Sequence, residues 1–214
     1  MFTGIVRTKV RLSEIRTSDD GSTLRFTPGV LDEVLQVGQS VAVDGVCLTV
    51  ARRGEGWVEV EATPETLRKT NLGRRRVGDF VNLEPPVGPG DVFGGHLVQG
   101  HVDSVGEVLS IREEGNSWIF RFSCPPEVRR YCVLKGSVTV NGISLTISGL
   151  GEDWFEVAVI PHTWEVTNLS DVGEGDVVNL EADIVGKYVE SHVLRYLDLG
   201  VGVGLPGGGS VSSR

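Results

Sequence analysis

Gly45-Val46-Cys47-Leu48-Thr49-Val50 returns 97 residues later as Gly142-Ile143-Ser144-Leu145-Thr146-Ile147. The same offset carries Pro64, Thr66, Thr70, Asn71 and Leu72 onto Pro161, Thr163, Thr167, Asn168 and Leu169. It also carries Gly78, Asp79, Val81, Asn82, Leu83 and Glu84 onto Gly175, Asp176, Val178, Asn179, Leu180 and Glu181. Chance matches scatter over many offsets, whereas these share one. The chain is a tandem duplication of a unit of about 95 residues.

Outward from the quoted stretch, each copy reads as short β segments between turns. Ile5, Val10, Leu12 and Ile15 alternate loosely with polar residues over 5–18, the period of a half-buried strand. Asp19-Asp20-Gly21-Ser22 turns the chain into a second strand at Thr23 to Thr27. Pro28 to Leu35 suits a short helix. Ser40-Val41-Ala42-Val43 and the signature strand meet at the Asp44-Gly45 turn. Trp57 to Ala62 is a further strand, and Thr63-Pro64-Glu65-Thr66 is an N-capped helical start. Asp79 to Glu84 closes the unit. The second copy gives strands near 101–112, 116–123, 137–149, 154–160 and 176–182, with helices near 126–132 and after Pro161. About six short strands per copy, turning every ten residues or so, predict a small antiparallel barrel. Pro85-Pro86-Val87-Gly88-Pro89-Gly90 separates the copies. The expected domains are a barrel over 1–88, a barrel over 89–185, a helix over 186–199 and a flexible tail over 200–214. Val189, Val193 and Leu197 stripe that helix, with Tyr188 and Tyr196 beside them, and a stripe outside both barrels points to self-association.

Composition narrows the function. Two units of about 100 residues can each close a small core. Glycine, at 29 of 214 residues, is about twice its usual share of roughly 7 %, which suits a many-turned β chain. A net charge of −9 argues against a nucleic-acid partner. Arg74-Arg75-Arg76, the one basic run, reads as a solvated turn. No apolar run is long enough to cross a membrane, so a soluble, cytoplasmic protein is expected. Cys47, Cys124 and Cys132 are few and show no Cys-x-x-Cys spacing, so neither a disulfide frame nor a zinc site is expected.

Met1-Phe2-Thr3-Gly4-Ile5-Val6, Asp44-Gly45-Val46-Cys47-Leu48-Thr49-Val50, Gly94-Gly95-His96-Leu97-Val98-Gln99-Gly100-His101-Val102 and Asn141-Gly142-Ile143-Ser144-Leu145-Thr146 resemble the riboflavin synthase family of lumazine-binding repeats. So does Asp183 followed by Lys187-Tyr188-Val189-Glu190. The resemblance runs from residue 1 to about 195 and includes the duplication. It implies two tandem six-stranded Greek-key barrels, a C-terminal helix holding a homotrimer, and a reaction that needs no cofactor. Two molecules of 6,7-dimethyl-8-ribityllumazine would dismutate, one giving a four-carbon unit to the other, to riboflavin and 5-amino-6-(D-ribitylamino)uracil. The working site would lie between the first barrel of one subunit and the second barrel of another. Association with a lumazine synthase is left open.

A reaction between two identical molecules needs two similar seats that treat donor and acceptor differently. At the offset of the signature, Cys47 faces Ser144, Gly4 faces His101 and Glu65 faces His162. Cys47 in an apolar strand reads alone as a small hydrophobe. The resemblance puts it at the pocket, near the electrophilic C7 of the lumazine, with water as a rival nucleophile. His101 matches a family histidine suited to handling the weakly acidic C7-methyl proton. His96 reads as shaping its loop. Ser144 and Thr146, like Thr49, offer neutral hydrogen-bonding groups. Asp183 matches a pocket acid, and Lys135 a pocket lysine able to balance a deprotonated lumazine.

Backbone groups of Gly4-Ile5-Val6 and Gly100-His101-Val102, equivalent strand starts, would hold the ring. So would Thr63, Pro64, Glu65 and Thr66, and their repeats Ile160, Pro161, His162 and Thr163 with Trp164 and Glu165. Ser40, Leu48, Glu61, Ala62, Asn82 and Leu145 complete the expected binding set. Asn141 stands where the family often has Asp, and Asp44 where Asn is common, so proton transfer at 141 is in doubt. A non-catalytic lumazine- or flavin-carrying antenna protein is the alternative, disfavoured because Cys47, His101, Ser144 and Asp183 occur together.

Overall fold

The computed structural model describes residues 1–198; the expected tail over 200–214 lies outside them. The first copy contains β1 (Thr8–Ser18), β2 (Gly21–Phe26), β3 (Ser40–Val43), β4 (Val46–Gly54), β5 (Trp57–Ala62), helix α1 (Pro64–Lys69) and β6 (Phe80–Glu84). The second contains β7 (Ser104–Glu114), β8 (Ser117–Ser123), α2 (Pro126–Arg129), β9 (Ser137–Val140), β10 (Ile143–Leu150), β11 (Trp154–Val159), α3 (Pro161–Val166) and β12 (Val177–Ala182), and α4 (Ile184–Asp198) follows. Each copy closes into a six-stranded antiparallel barrel, β1-β2-β5-β4-β3-β6 and its repeat β7-β8-β11-β10-β9-β12. The segment expected as one strand over 137–149 is two, broken at Asn141-Gly142. The helix expected over Pro28 to Leu35 shrinks to a single 3-10 turn at Gly29–Leu31. Pro28 starts it, but a run this short must plug the barrel with Leu31 and Leu35 rather than extend.

Alternation along the strands fills the barrels. Leu24, Phe26, Val41, Val43, Leu48, Val50, Val58 and Val60 line the first core; Phe120, Phe122, Val138, Val140, Leu145, Ile147, Val157 and Val159 line the second. Two core members come from the wrong copy. Val6, which precedes β1, is buried in the second core, and Val102, which precedes β7, packs against the first. The leads into the two barrels are exchanged. Phe2 and Val98 pair between them, with Phe2 N–H to Val98 O at 2.8 Å and Val98 N–H to Phe2 O at 3.1 Å.

Register corrects one equivalence. Ser144 N–H donates to Gly4 O and Cys47 N–H to Gly100 O, both at 2.8 Å, so Gly4 corresponds to Gly100 and Ile5, not Gly4, to His101. The leads and first hairpins therefore repeat at 96 residues and the remainder at 97, with the extra residue near Pro125, before α2.

The barrels meet about a pseudo-twofold axis where the Asp44-Gly45 and Asn141-Gly142 turns touch. A Cβ on Gly45 would lie 2.6 Å from Gly142 N, and both glycines have positive φ. Around this contact, Asn71 N–H donates to Asn179 Oδ1 and Asn168 N–H to Asn82 Oδ1, each at 2.7 Å. Asn82 Nδ2 donates to Asn141 O and Asn179 Nδ2 to Asp44 O, each at 2.9 Å. Asp44, fully buried, departs from the symmetry: its Oδ2 accepts from Arg75 Nη2 at 2.5 Å and Nε at 3.0 Å. Arg75 is therefore not part of a solvated turn, as the basic run suggested; it balances a carboxylate at the axis. Val172 stands at its place in the second copy, opposite neutral Asn141. Asp44→Asn strands the Arg75 cation and is expected to lower unfolding stability in urea by about 3 kcal/mol. Adding Arg75→Val, which imports the second copy's pair, should recover most of that loss.

Candidate functional site

Each barrel presents one outward face built alike. In the first, Ser40 pairs with Thr49, Thr49 with Glu61 and Ala42 with Cys47. In the second, Ser137 pairs with Thr146 and Thr139 with Ser144. Strand period two puts Cys47 and Thr49 outward and turns Leu48 inward, just as Leu145 turns inward between Ser144 and Thr146. Leu48 and Leu145 therefore offer a ligand only backbone, their side chains being in the barrel cores. Ala62 and Val6 are core side chains as well.

The exchanged leads lie along these faces. Two buried carboxylates fix them. Glu84 accepts from Thr3 N–H at 2.7 Å and Gly4 N–H at 3.1 Å; Glu181 accepts from Gln99 N–H at 2.7 Å and Gly100 N–H at 3.0 Å. Burial pushes both carboxyl groups above the ordinary carboxylate value, and these backbone hydrogen bonds pull back against it. Gly4 and Gly100 have φ of +76° and +79°, and a Cβ on either would lie 2.6 Å from the Cβ of Ser144 or Cys47. Only glycine lets the lead approach the strand so closely. Neither glutamate was singled out as a site residue; each was visible only as the last residue of a repeated strand.

The exchange sorts the expected catalytic residues into two groups. His101, exposed, follows Gly100 beside Cys47 on the first barrel. Cys47 is half-buried against Phe2, Ala42 and Val98. Ser144 sits on the second barrel beside Gly4, with Ile5 where the first face has His101. No hydrogen bond joins the two groups among the described residues.

His96 adds a contact that has no match at Cys47 among the described residues. Its Nδ1 lies 2.7 Å from Ser144 Oγ and its Nε2 3.2 Å from Thr139 Oγ1, and its N–H donates to Thr3 O. Asp183 caps α4 through the Val185 N–H at 3.0 Å and is close enough to act on His96 by its charge. Burial holds the imidazole below its ordinary 6.5, with Asp183 opposing. A neutral ring has one donor and one acceptor nitrogen, and a hydroxyl serves either.

The remaining expected residues divide as follows. Thr63 caps α1 by accepting from Thr66 N–H, and Pro64 takes the first helical position. Ile160, Pro161, His162, Thr163 and Glu165 repeat that turn at α3. Lys135, exposed in a left-handed turn with φ of +67°, donates its N–H to Ile147 O, next to Thr146. Two residues do not join the faces. Asn82 is buried at the pseudo-twofold axis with its amide committed there, and its repeat identity reflects that frame. Trp164 stacks on Trp118 with centroids 4.2 Å apart, which holds its ring at the end of the second barrel. Asn141 is likewise an axis residue, fully buried, so proton transfer there has no geometric basis. Among the described residues no group of three or more His, Cys, Asp or Glu side chains could hold a metal ion. No helix among them is long and apolar enough to cross a membrane.

Protonating His96 sets a cation between two hydroxyl groups in a desolvated place. The unfolded chain takes that proton more readily, so this residue's contribution to stability is present above 6.5 and lost as pH falls below it. Thermal melts from about pH 7 to about pH 5 should therefore fall more steeply for the native chain than for His96→Gln. Equal slopes would place His96 outside this balance.

The lumazine binding domain model matches residues 3–85 and again 99–183. The riboflavin synthase of Mycobacterium bovis is 45 % identical over 195 residues, covering 89 % of this chain and 96 % of the relative. That of Bacillus subtilis is 38 % identical, covering 88 % of each. Among solved structures, LumP complexed with riboflavin superposes with a TM-score of 0.80 at 26 % identity, covering 85 % of this chain and 99 % of LumP. LumP complexed with 6,7-dimethyl-8-(1'-D-ribityl)lumazine gives 0.77 at 25 % identity, with the same coverage. Two matched domains and relatives of this identity along most of both chains lead to one conclusion: the chain belongs to the lumazine-binding domain family, within its riboflavin synthase group.

Proposed function

We propose that this chain is a riboflavin synthase, a transferase that dismutates two 6,7-dimethyl-8-ribityllumazine molecules to riboflavin and 5-amino-6-(D-ribitylamino)uracil. The observation that carries the reading is the division of chemistry between two otherwise equivalent faces. The first has Cys47 with His101; the second has Ser144 with His96, Thr139 and Asp183. One molecule surrenders four carbons that the other keeps, so the balance calls for no external oxidant or reductant. The chain's task is to seat two rings against one another, and orientation alone can lower such a barrier by about 7–11 kcal/mol.

In this reading His101 takes the C7-methyl proton of the molecule on the first face, with Cys47 beside the same carbon. On the second face the Ser144 hydroxyl, aligned by His96, and Asp183 serve the partner molecule. Lys135 balances its charge. Thr49 and Glu61 on the first barrel, with Thr63 to Thr66, and Thr146 with Ile160 to Thr163 on the second, hold ring edges and ribityl chains. The barrels over 1–88 and 89–185 each contribute half a site, completed by another subunit. The exposed apolar residues of α4, among them Val185, Val189, Val193 and Leu197, suit a homotrimer's helical contact. A cytoplasmic location fits a water-soluble substrate, and contact with a lumazine synthase would supply it directly.

Purified protein given the ribityllumazine alone should produce riboflavin's visible absorbance with turnover. A stoichiometric fluorescence change without turnover would instead support the antenna reading. His101→Ile, which copies the second face, should lower kcat about 100-fold or more, whereas Ile5→Ala should act mainly on KM. Mixing the Cys47→Ala and Ser144→Ala variants under subunit exchange should restore part of the activity each lacks. No restoration would place both halves in one subunit.

A further inference from the structure

The two copies close their barrel ends differently. In the second, Trp118 pairs with Val159 on β11 while Trp164 projects from α3; their planes stack within 12°, and Phe120 tilts against Trp164 at 6.0 Å. In the first, the corresponding residues are Ser22, paired with Ala62, and Leu67 of α1. The covering helices are otherwise alike: each has six residues, opens on a proline and ends on a threonine whose hydroxyl donates to a carbonyl four residues back. Two indole rings are thus exchanged for a hydroxymethyl and an isobutyl group beneath the same roof. The first barrel does not collapse over the difference. A half-open cavity of about 300 Å³ lies there, with Ile15, Leu67 and Leu72 on its apolar side and Thr17, Ser22 and the exposed Arg68 on its polar side.

We propose that this end cavity binds a planar heteroaromatic ring system of one or two rings that carries an anionic or carbonyl edge. Shape is the first argument, because the duplicate shell of the second barrel already houses a flat bicyclic ring, its own Trp118. Size is the second. The volume stands at the lower limit of small-molecule pockets, and even smaller apolar cavities take up benzene. Polarity is the third. Thr17 Oγ1 and Ser22 Oγ share one hydrogen bond of 2.8 Å and keep further capacity for a ligand. Arg75, on the same rim, is tied to Asp44, whereas Arg68 has no carboxylate partner among the described residues. A ring edge bearing negative charge completes Arg68. Among the described residues the second barrel fills its own equivalent with Trp118 and Trp164, and none of Cys47, Thr49 and His101 lines the cavity.

The test uses full-length protein with two probes, 5-fluoroindole followed by fluorine NMR and indole-3-carboxylate followed by calorimetry. Both should saturate at one per chain, the carboxylate a few-fold tighter than indole. Ser22→Trp, which copies the second barrel, should abolish both while ribityllumazine turnover persists, and Leu67→Trp provides an independent plug should that variant fail to fold. Arg68→Gln should remove only the preference for the carboxylate. The proposal is overturned if neither probe saturates, if binding survives both plugs, or if ribityllumazine displaces the probes competitively.

Discussion

Glu84 and Glu181 each spend a buried carboxylate on backbone N–H groups of a segment that belongs, by sequence, to the barrel they close. That segment then reaches across to the other barrel, where Gly4 or Gly100 accepts from Ser144 or Cys47. Burial alone would favour protonation of these acids, so the N–H donors and the carboxylates sustain one another. Releasing either partner would leave a buried polar group without its hydrogen bond, at a cost of about 1–3 kcal/mol. The position of His101 relative to Cys47 depends on this clamp, because no other hydrogen bond of the described residues fixes the 99–101 segment to the first barrel. The geometry of the first face is thereby set by a carboxylate of the second copy.

Identity and difference between the copies do separate work. Residues that repeat unchanged, such as Asn71 and Asn168 or Asn82 and Asn179, build the axis at which two equal barrels must fit. Asn71 bonds Asn179 and Asn82 bonds Asn168, so each asparagine answers the other repeated position in the opposite copy and change at one position unsettles the other. Residues that differ lie on the faces and ends: Cys47 against Ser144, Ala42 against Thr139, His101 against Ile5, Ser22 against Trp118. The Asp44–Arg75 pair is an exception, a difference inside the frame. It is tolerated because acid and base sit in the same copy, leaving the axis without net charge.

The duplication, the two closed barrels and the terminal helix are legible in the sequence, since strand alternation and turn residues act locally and the repeat doubles every signal. The exchange of leads is not. Val6 and Val102 look the same whether they pack at home or across the axis, and a valine records only that it is buried. The one-residue change of offset near Pro125 hid the match of Ile5 with His101, because the strongest motif fixed a register that the leads do not share. Asn82 lies off the faces for a related reason: a repeated polar residue signals a buried partner, and the partner is another asparagine, Asn168. Leu48 and Leu145 took their places from neighbours in the same motif, though strand period turns them to the core.

Exchanged leads also bear on the proposal that the reaction uses more than one chain. Each face is completed by the other copy's lead, so within a chain the barrels are already joined through the segments that line their sites. The axis holds the two turns in contact, and each face carries the other copy's lead. On the proposed reading, two rings seated on such faces are stacked when a face from another chain is brought opposite. On that reading the terminal helix, which leads directly out of Asp183 and exposes an apolar stripe, supplies the contact between chains. Under this proposal assembly and active-site completion are a single event, and the duplication that makes the faces similar would let the same contact repeat from one subunit to the next.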